Sequence, residues 1–226
     1  DALPIYLALT MSKQPNIVFM ICHDLGRHLN CYGVETVTSP HLDRLASEGV
    51  RFDRAFCVAP QCAPSRAAIT TGRYPHANGL MGLSHGIFAW DLHESETFFP
   101  QRLKDAGYYT VLGSFHHEGR KPIARMGYDE HMQWGGPAPQ VADQACDWLA
   151  ERSGDEPPFY LNLAFFEPHR GFPDFGHAPD TSRGVSVPPF IVDEHHSREE
   201  FAYFQGAIKA LDEAVGRIVQ AIDDAG

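Results

Sequence analysis

Three apolar runs, each closed by a polar cluster, set the pattern of this chain. The first, Ile17-Val18-Phe19-Met20-Ile21-Cys22, ends in His23-Asp24-Leu25-Gly26. Its length and β-branching predict a buried strand of a parallel sheet. A second strand is expected from Tyr108 to Leu112, ending in Ser114-Phe115-His116-His117-Glu118. A third runs from Phe159 to Phe166 and ends in Glu167-Pro168-His169-Arg170.

Helical patterns fill the intervals. Thr38-Ser39-Pro40 supplies a hydroxyl cap and a proline first position for a helix over His41 to Glu48, stopped by Gly49. Val50 to Phe56 reads as a short strand, and Ser65 to Thr71 as a helix. Further helices are predicted over Phe98 to Ala106, closed by Gly107, and over Gln140 to Arg152. The last helix has the clearest signal. Phe201, Phe204, Ile208, Leu211, Val215, Ile218, Val219 and Ile222 follow the spacing of one buried face. Residues 171–196 are rich in Pro, Gly and Asp and read as an irregular excursion whose Phe172, Phe175 and Phe190 would shape a pocket rim. Strands alternating with helices predict one α/β domain, a largely parallel central sheet with helices on both faces.

Composition narrows the function classes. The chain has 226 residues, 43% of them hydrophobic, as in ordinary globular proteins. Its formal net charge of -11 argues against nucleic acid as a partner, though a site can still be locally positive. No run is long and apolar enough to span a bilayer, so no membrane partner is expected. The opening ten residues lack the basic start and cleavage site of a signal peptide. Residues 1–14 therefore read as an extension, and a cytoplasmic location is expected. Five cysteines in no scaffold spacing predict free thiols, with Cys22, Cys31 and Cys146 buried and Cys57 reduced.

The polar clusters matter through the topology. In a parallel sheet the three strand ends share one edge, where ligands usually bind in open α/β sheets. His23 with Asp24, His116 with His117, and His169 would meet there. Each alone has an ordinary use in a turn or loop; together they offer metal ligands and proton carriers. The Cys62 loop leads into a helix and reaches the same edge. A helix N-terminus favours negative charge at that position.

On these residues the chain resembles the formylglycine-dependent sulfatases of the alkaline phosphatase superfamily. Cys62, Pro64, Ser65 and Arg66, followed by Thr71-Gly72-Arg73, are similar to the family signature. Ser39 to Ala46, Gly49 to Phe52 and Phe159 to His169 also resemble family segments, and the likeness covers nearly everything after Pro15. Glu167-Pro168-His169-Arg170 is similar to the heparan N-sulfatase (sulfamidase) branch. The resemblance implies that Cys62 is oxidised to formylglycine by a formylglycine-generating enzyme. Its hydrated aldehyde would attack a small sulfated sugar or aryl sulfate, or an N-sulfate, and its second hydroxyl would then expel sulfate. It further implies catalytic roles for Cys62, Arg66, His116 and His169. His23, Asp24 and Cys62 would bind a divalent metal, calcium first, with manganese or zinc as alternatives.

Three departures qualify the resemblance. His23-Asp24 stands where the family has two aspartates. Gly113-Ser114-Phe115-His116 lacks the family's sulfate-binding lysine, and His117 leaves the histidine register open. Family members also continue beyond a helix like the last one here, into a further metal-site strand and a smaller C-terminal sheet domain. The expectation is therefore a catalytic domain truncated at its C-terminal side, with an incomplete metal site. The competing expectations are a phosphate or phosphonate ester hydrolase of the same superfamily, and a non-catalytic homologue.

Overall fold

The computed structural model describes residues 14–85, 87–133, 135–152, 156–171 and 175–225. Apart from Gln14, the expected N-terminal extension lies outside them, as does Phe172. Among the described residues the sheet has four strands, all parallel, in the order β1-β4-β2-β3. They are β1 Ile17–Ile21, β2 Tyr109–Gly113, β3 Glu130–His131 and β4 Phe159–Ala164. The three expected strands are present. β3 was not foreseen, because two residues carry no apolar run.

β4 lies between β1 and β2 and is buried throughout. Its alternating side chains enter two different cores, as the period of a strand dictates. Phe159, Leu161 and Leu163 join a core with α5 Ala138–Ala150 and α6 His195–Ala225. Tyr160 joins a second core containing Ala63 and Ala67 of α2 Cys62–Thr71, with Phe98, Leu112 and Met126. α4 Phe99–Asp105 contributes Leu103 to that second core. Helices therefore cover both faces, as the alternation of elements predicts.

Several local expectations are corrected. Val50 to Phe56 forms no strand: Val50, Phe52 and Phe56 are 80%, 70% and 87% exposed. Their apolar pattern has no neighbouring strand to pair with. α2 begins at Cys62 rather than Ser65, and Pro64 occupies its first turn, where a missing N–H breaks no helical bond. A short α3, Pro75–Asn78, follows it. α1, Pro40–Glu48, has Ser39 at its cap position, but the serine side chain does not cap it. Ser39 Oγ instead donates to Asp43 at 3.2 Å. The orphan N–H groups of His41 and Leu42 go to the buried Asp212 carboxylate of α6, at 3.2 and 2.8 Å.

The irregular excursion is pinned to α6 by Gln205, which is wholly buried. Its amide nitrogen donates to Asp180 O and Gly184 O, both at 3.0 Å, and its oxygen accepts the Ser186 N–H at 3.2 Å. Among the described residues no helix is long and apolar enough to cross a membrane.

Candidate active site

The strand ends do meet. The His23 N–H donates to Glu167 O at 3.2 Å, and the Phe165 N–H donates to Ile21 O at 2.9 Å. These bonds lock the ends of β1 and β4 together. Beyond them, His23 packs its ring 5.4 Å from His117, 5.4 Å from His169 and 5.4 Å from Phe115. His169 Nε2 lies 3.8 Å from Asp24 Oδ2. Asp24 itself sits in the left-handed region at φ 51°, turning the chain sharply after β1.

α2 supplies the other wall. Cys62 is its first residue, so the helix N-terminus faces the site. Arg66, one turn on, is 3% exposed and lays its guanidinium over the Phe115 ring at 4.9 Å. One of its terminal nitrogens, Nη2, is buried without a hydrogen-bond partner. A cavity of about 450 Å³ brings together His23, Asp24, Cys57, Cys62, Ser65 and Arg66. An unsatisfied guanidinium nitrogen beside such a space is what an anion ligand would satisfy.

The electrostatics follow from burial around one fixed cation. Burial, reinforced by Arg66, His117 and His169, pushes His23 down to about 3. His117 is pushed down to about 4 by burial, then by Arg66 and the neighbouring histidines. Both imidazoles are neutral at physiological pH. Burial raises the Cys62 thiol and outweighs the pull of the Ala63 amide and Arg66. Cys62 is therefore a thiol and a poor nucleophile as it stands. Burial also depresses Arg66, while Glu118, Cys22 and Cys62 hold it up.

The two histidines of the β2 loop, whose register the sequence leaves open, make different contacts. His117 is the histidine that meets His23 and Phe115. His116 turns toward the buried Glu118, at 3.8 Å from its Oε2. Glu118 also accepts the His117 N–H at 2.6 Å. No local pattern signals that carboxylate's role as the buried counter-charge near Arg66. Glu167 is structural: its Oε1 accepts the Ala138 N–H at 2.7 Å and contacts His177 Nε2 at 2.8 Å.

Among the described residues no group of three His, Cys, Asp or Glu converges to hold a metal ion. Asp24 is the single carboxylate of the expected set. The His23 ring is packed among Phe115, Phe166 and two histidines. Calcium takes six to eight oxygen ligands, roughly. His23, Asp24 and Cys62 alone do not supply them, so a calcium ion held here would need further oxygen ligands.

Comparisons with known proteins agree with this architecture. The sulfatase family model matches residues 15–226. The N-sulphoglucosamine sulphohydrolase of Homo sapiens is 26% identical over 254 residues, which cover 100% of this chain and 50% of that protein. The ulvan-active sulfatase of Formosa agariphila is 29% identical over 254 residues, covering 94% and 48%. The chain thus spans about half the length of these curated relatives. The solved structure of BT4656 in complex with its substrate D-glucosamine-2-N,6-O-disulfate superposes with a TM-score of 0.69 at 19% identity, covering 95% of this chain and 63% of that one. That likeness concerns the fold. With the family match running through every element of the sheet and through the Cys62 helix, the chain belongs to the sulfatase family.

Proposed function

We propose that the protein containing this chain hydrolyses sulfate esters or N-sulfates of small sulfated sugars or aryl sulfates. The observation that carries the reading is the position of Cys62 at the first residue of α2, in one cavity with Arg66, His23 and Asp24. The raised thiol argues against direct attack by sulfur and fits a residue destined for conversion. Formylglycine, installed by a formylglycine-generating enzyme, supplies a hydrated aldehyde as nucleophile. The family in general also uses a divalent metal. Calcium, manganese or zinc would need ligands beyond His23 and Asp24, and no step below depends on it.

The chain's own residues then have defined work. Arg66 and the α2 N-terminus hold an anionic sulfate at position 62, where burial strengthens their pull. Neutral His117 accepts a proton from the hydroxyl that releases sulfate. His169, oriented by Asp24, donates a proton to the leaving oxygen or nitrogen. Human N-sulphoglucosamine sulphohydrolase, matched along the whole chain, supports an N-sulfated amino sugar as the substrate class.

Mass measurement of the Cys62 peptide from the native host, paired with sulfate release from 4-nitrophenyl sulfate, tests the proposal. Conversion to the aldehyde lowers the peptide mass and should accompany sulfate release. An unmodified thiol without turnover would leave a non-catalytic homologue. Faster release of phosphate from 4-nitrophenyl phosphate would make the protein a phosphate ester hydrolase.

A further inference from the structure

A second cavity of about 450 Å³ adjoins the histidine cluster, lined by Ser84, His85, His116, His117, Arg120 and Lys121. His117 links the two spaces. It lines the second cavity and meets His23, which lines the first. No Asp or Glu lines the second cavity among the described residues. Three carboxylates do contact its lining residues: Asp91 through the Arg120 N–H, and Glu94 and Glu118. Glu94 meets Lys121 at 3.5 Å and Arg125 at 3.2 Å. Glu118 is buried, with the His117 N–H and the His116 ring against it.

Arg120 stands out in this lining. Its backbone N–H donates to Asp91 Oδ1 at 3.0 Å, which fixes the loop. Its guanidinium forms no ion pair among the described residues. Lys121, by contrast, is held inward by the His93 carbonyl at 2.9 Å. The His85 ring leans on His117 at 5.9 Å. The first cavity has Arg66 as its buried cation, and Ser114 stands at the end of β2 with no positive charge to add. Two cations thus flank the neutral His117: Arg66, buried on the side of the first cavity, and Arg120, exposed at the mouth of the second.

Resting on the sulfatase reading, we propose that this cavity receives a second anionic group of the substrate, with Arg120 as its main partner and His85 beside it. The substrate class is then an amino sugar or related sugar carrying at least two anionic groups. The reacting sulfate goes to Arg66 and Cys62, and the second anion to Arg120. A guanidinium fork matches the oxygens of sulfate or carboxylate, and a space of this size holds a sugar ring.

Calorimetric titration of the chain with two probes tests the assignment. D-glucosamine 2-N,6-O-disulfate carries two anions; 4-nitrophenyl sulfate carries one. The chain should prefer the disulfate. Arg120→Ala should weaken disulfate binding about tenfold and cut the preference by a similar factor, as loss of a charge-assisted contact predicts. Arg120→Lys should recover part of it. Absence of any preference in the parent chain, or an equal effect of Arg120→Ala on both probes, would overturn the proposal. Sulfate release is scored separately. Arg120-dependent binding by the chain, with no sulfate release by the full-length protein carrying formylglycine at position 62, would sink the hydrolase reading and leave the anion site standing.

Discussion

The rings of His23 and His117 meet edge to face with centroids 5.4 Å apart. That contact joins the ends of β1 and β2 and sets His117 against His23, a lining residue of the Cys62 cavity. His116 Nδ1 lies 3.8 Å from Glu118 Oε2, whereas His117 shares the field of Arg66 and His169.

The consequence is a clear ranking of two variants. In the formylglycine-bearing enzyme, His117→Ala should lower the turnover of 4-nitrophenyl sulfate by about 10²- to 10⁴-fold, the usual worth of a proton-transfer group. His116→Ala should cost much less, acting through Glu118. Turnover numbers for the two variants, measured at saturating substrate, check the ranking. The reverse order would return the catalytic position to His116.

Arg66 is predicted to matter before any chemistry occurs. It is buried beside Cys62, and its charge is coupled to the buried Glu118. Arg66→Ala strands that carboxylate and should destabilise the chain by about 3 kcal/mol. Urea denaturation would measure this. Adding Glu118→Gln should recover part of the loss, because the stranded charge is then gone. A double variant no more stable than Arg66→Ala would show that packing on Phe115, and not charge, explains the effect.

Much of this site could be read in the sequence because its signals are local. An apolar run closed by a polar cluster needs no tertiary knowledge, and parallel topology brings such ends to one edge. Other features depended on partners that no local pattern reveals. Val50 to Phe56 has a strand's composition but nothing to pair with. Asp212 caps α1 from far along the chain. The His116/His117 register escaped for a geometric reason. Ser114 takes φ 76°, in the left-handed region, so counting alternate faces outward from β2 fails after that residue.

Acid should destabilise the chain, and the sign follows from the buried histidines. His23 is depressed to about 3 and His117 to about 4; burial also lowers His28, packed against Phe201 and Phe204. In each case the unfolded form binds protons at higher pH than the folded form. The stability contributed by the neutral rings is therefore present above the unfolded value near 6.5 and is lost as pH falls toward the folded value. At about pH 5 each strongly depressed ring would cost roughly 2 kcal/mol. Denaturation midpoints across this range should fall steadily, and His28→Gln should flatten the slope. A midpoint constant from neutral pH down to about 4 would contradict the burial of these rings.

Gly206 gives a test of the packing between α6 and the segment around Ala178. In an exposed helix interior, Gly→Ala stabilises by about 1 kcal/mol, because alanine has less backbone freedom to lose. Here the added methyl would collide with the Ala178 carbonyl oxygen, which is backbone and cannot swing aside. The same stretch is held by Gln205 through Asp180 and Gly184. Gly206→Ala should therefore destabilise by about 2 kcal/mol or more, reversing the propensity sign. It should also loosen the segment around Asp180, read as faster amide exchange there than in β4. A stabilised variant with unchanged exchange would mean that the excursion does not pack on α6 as described.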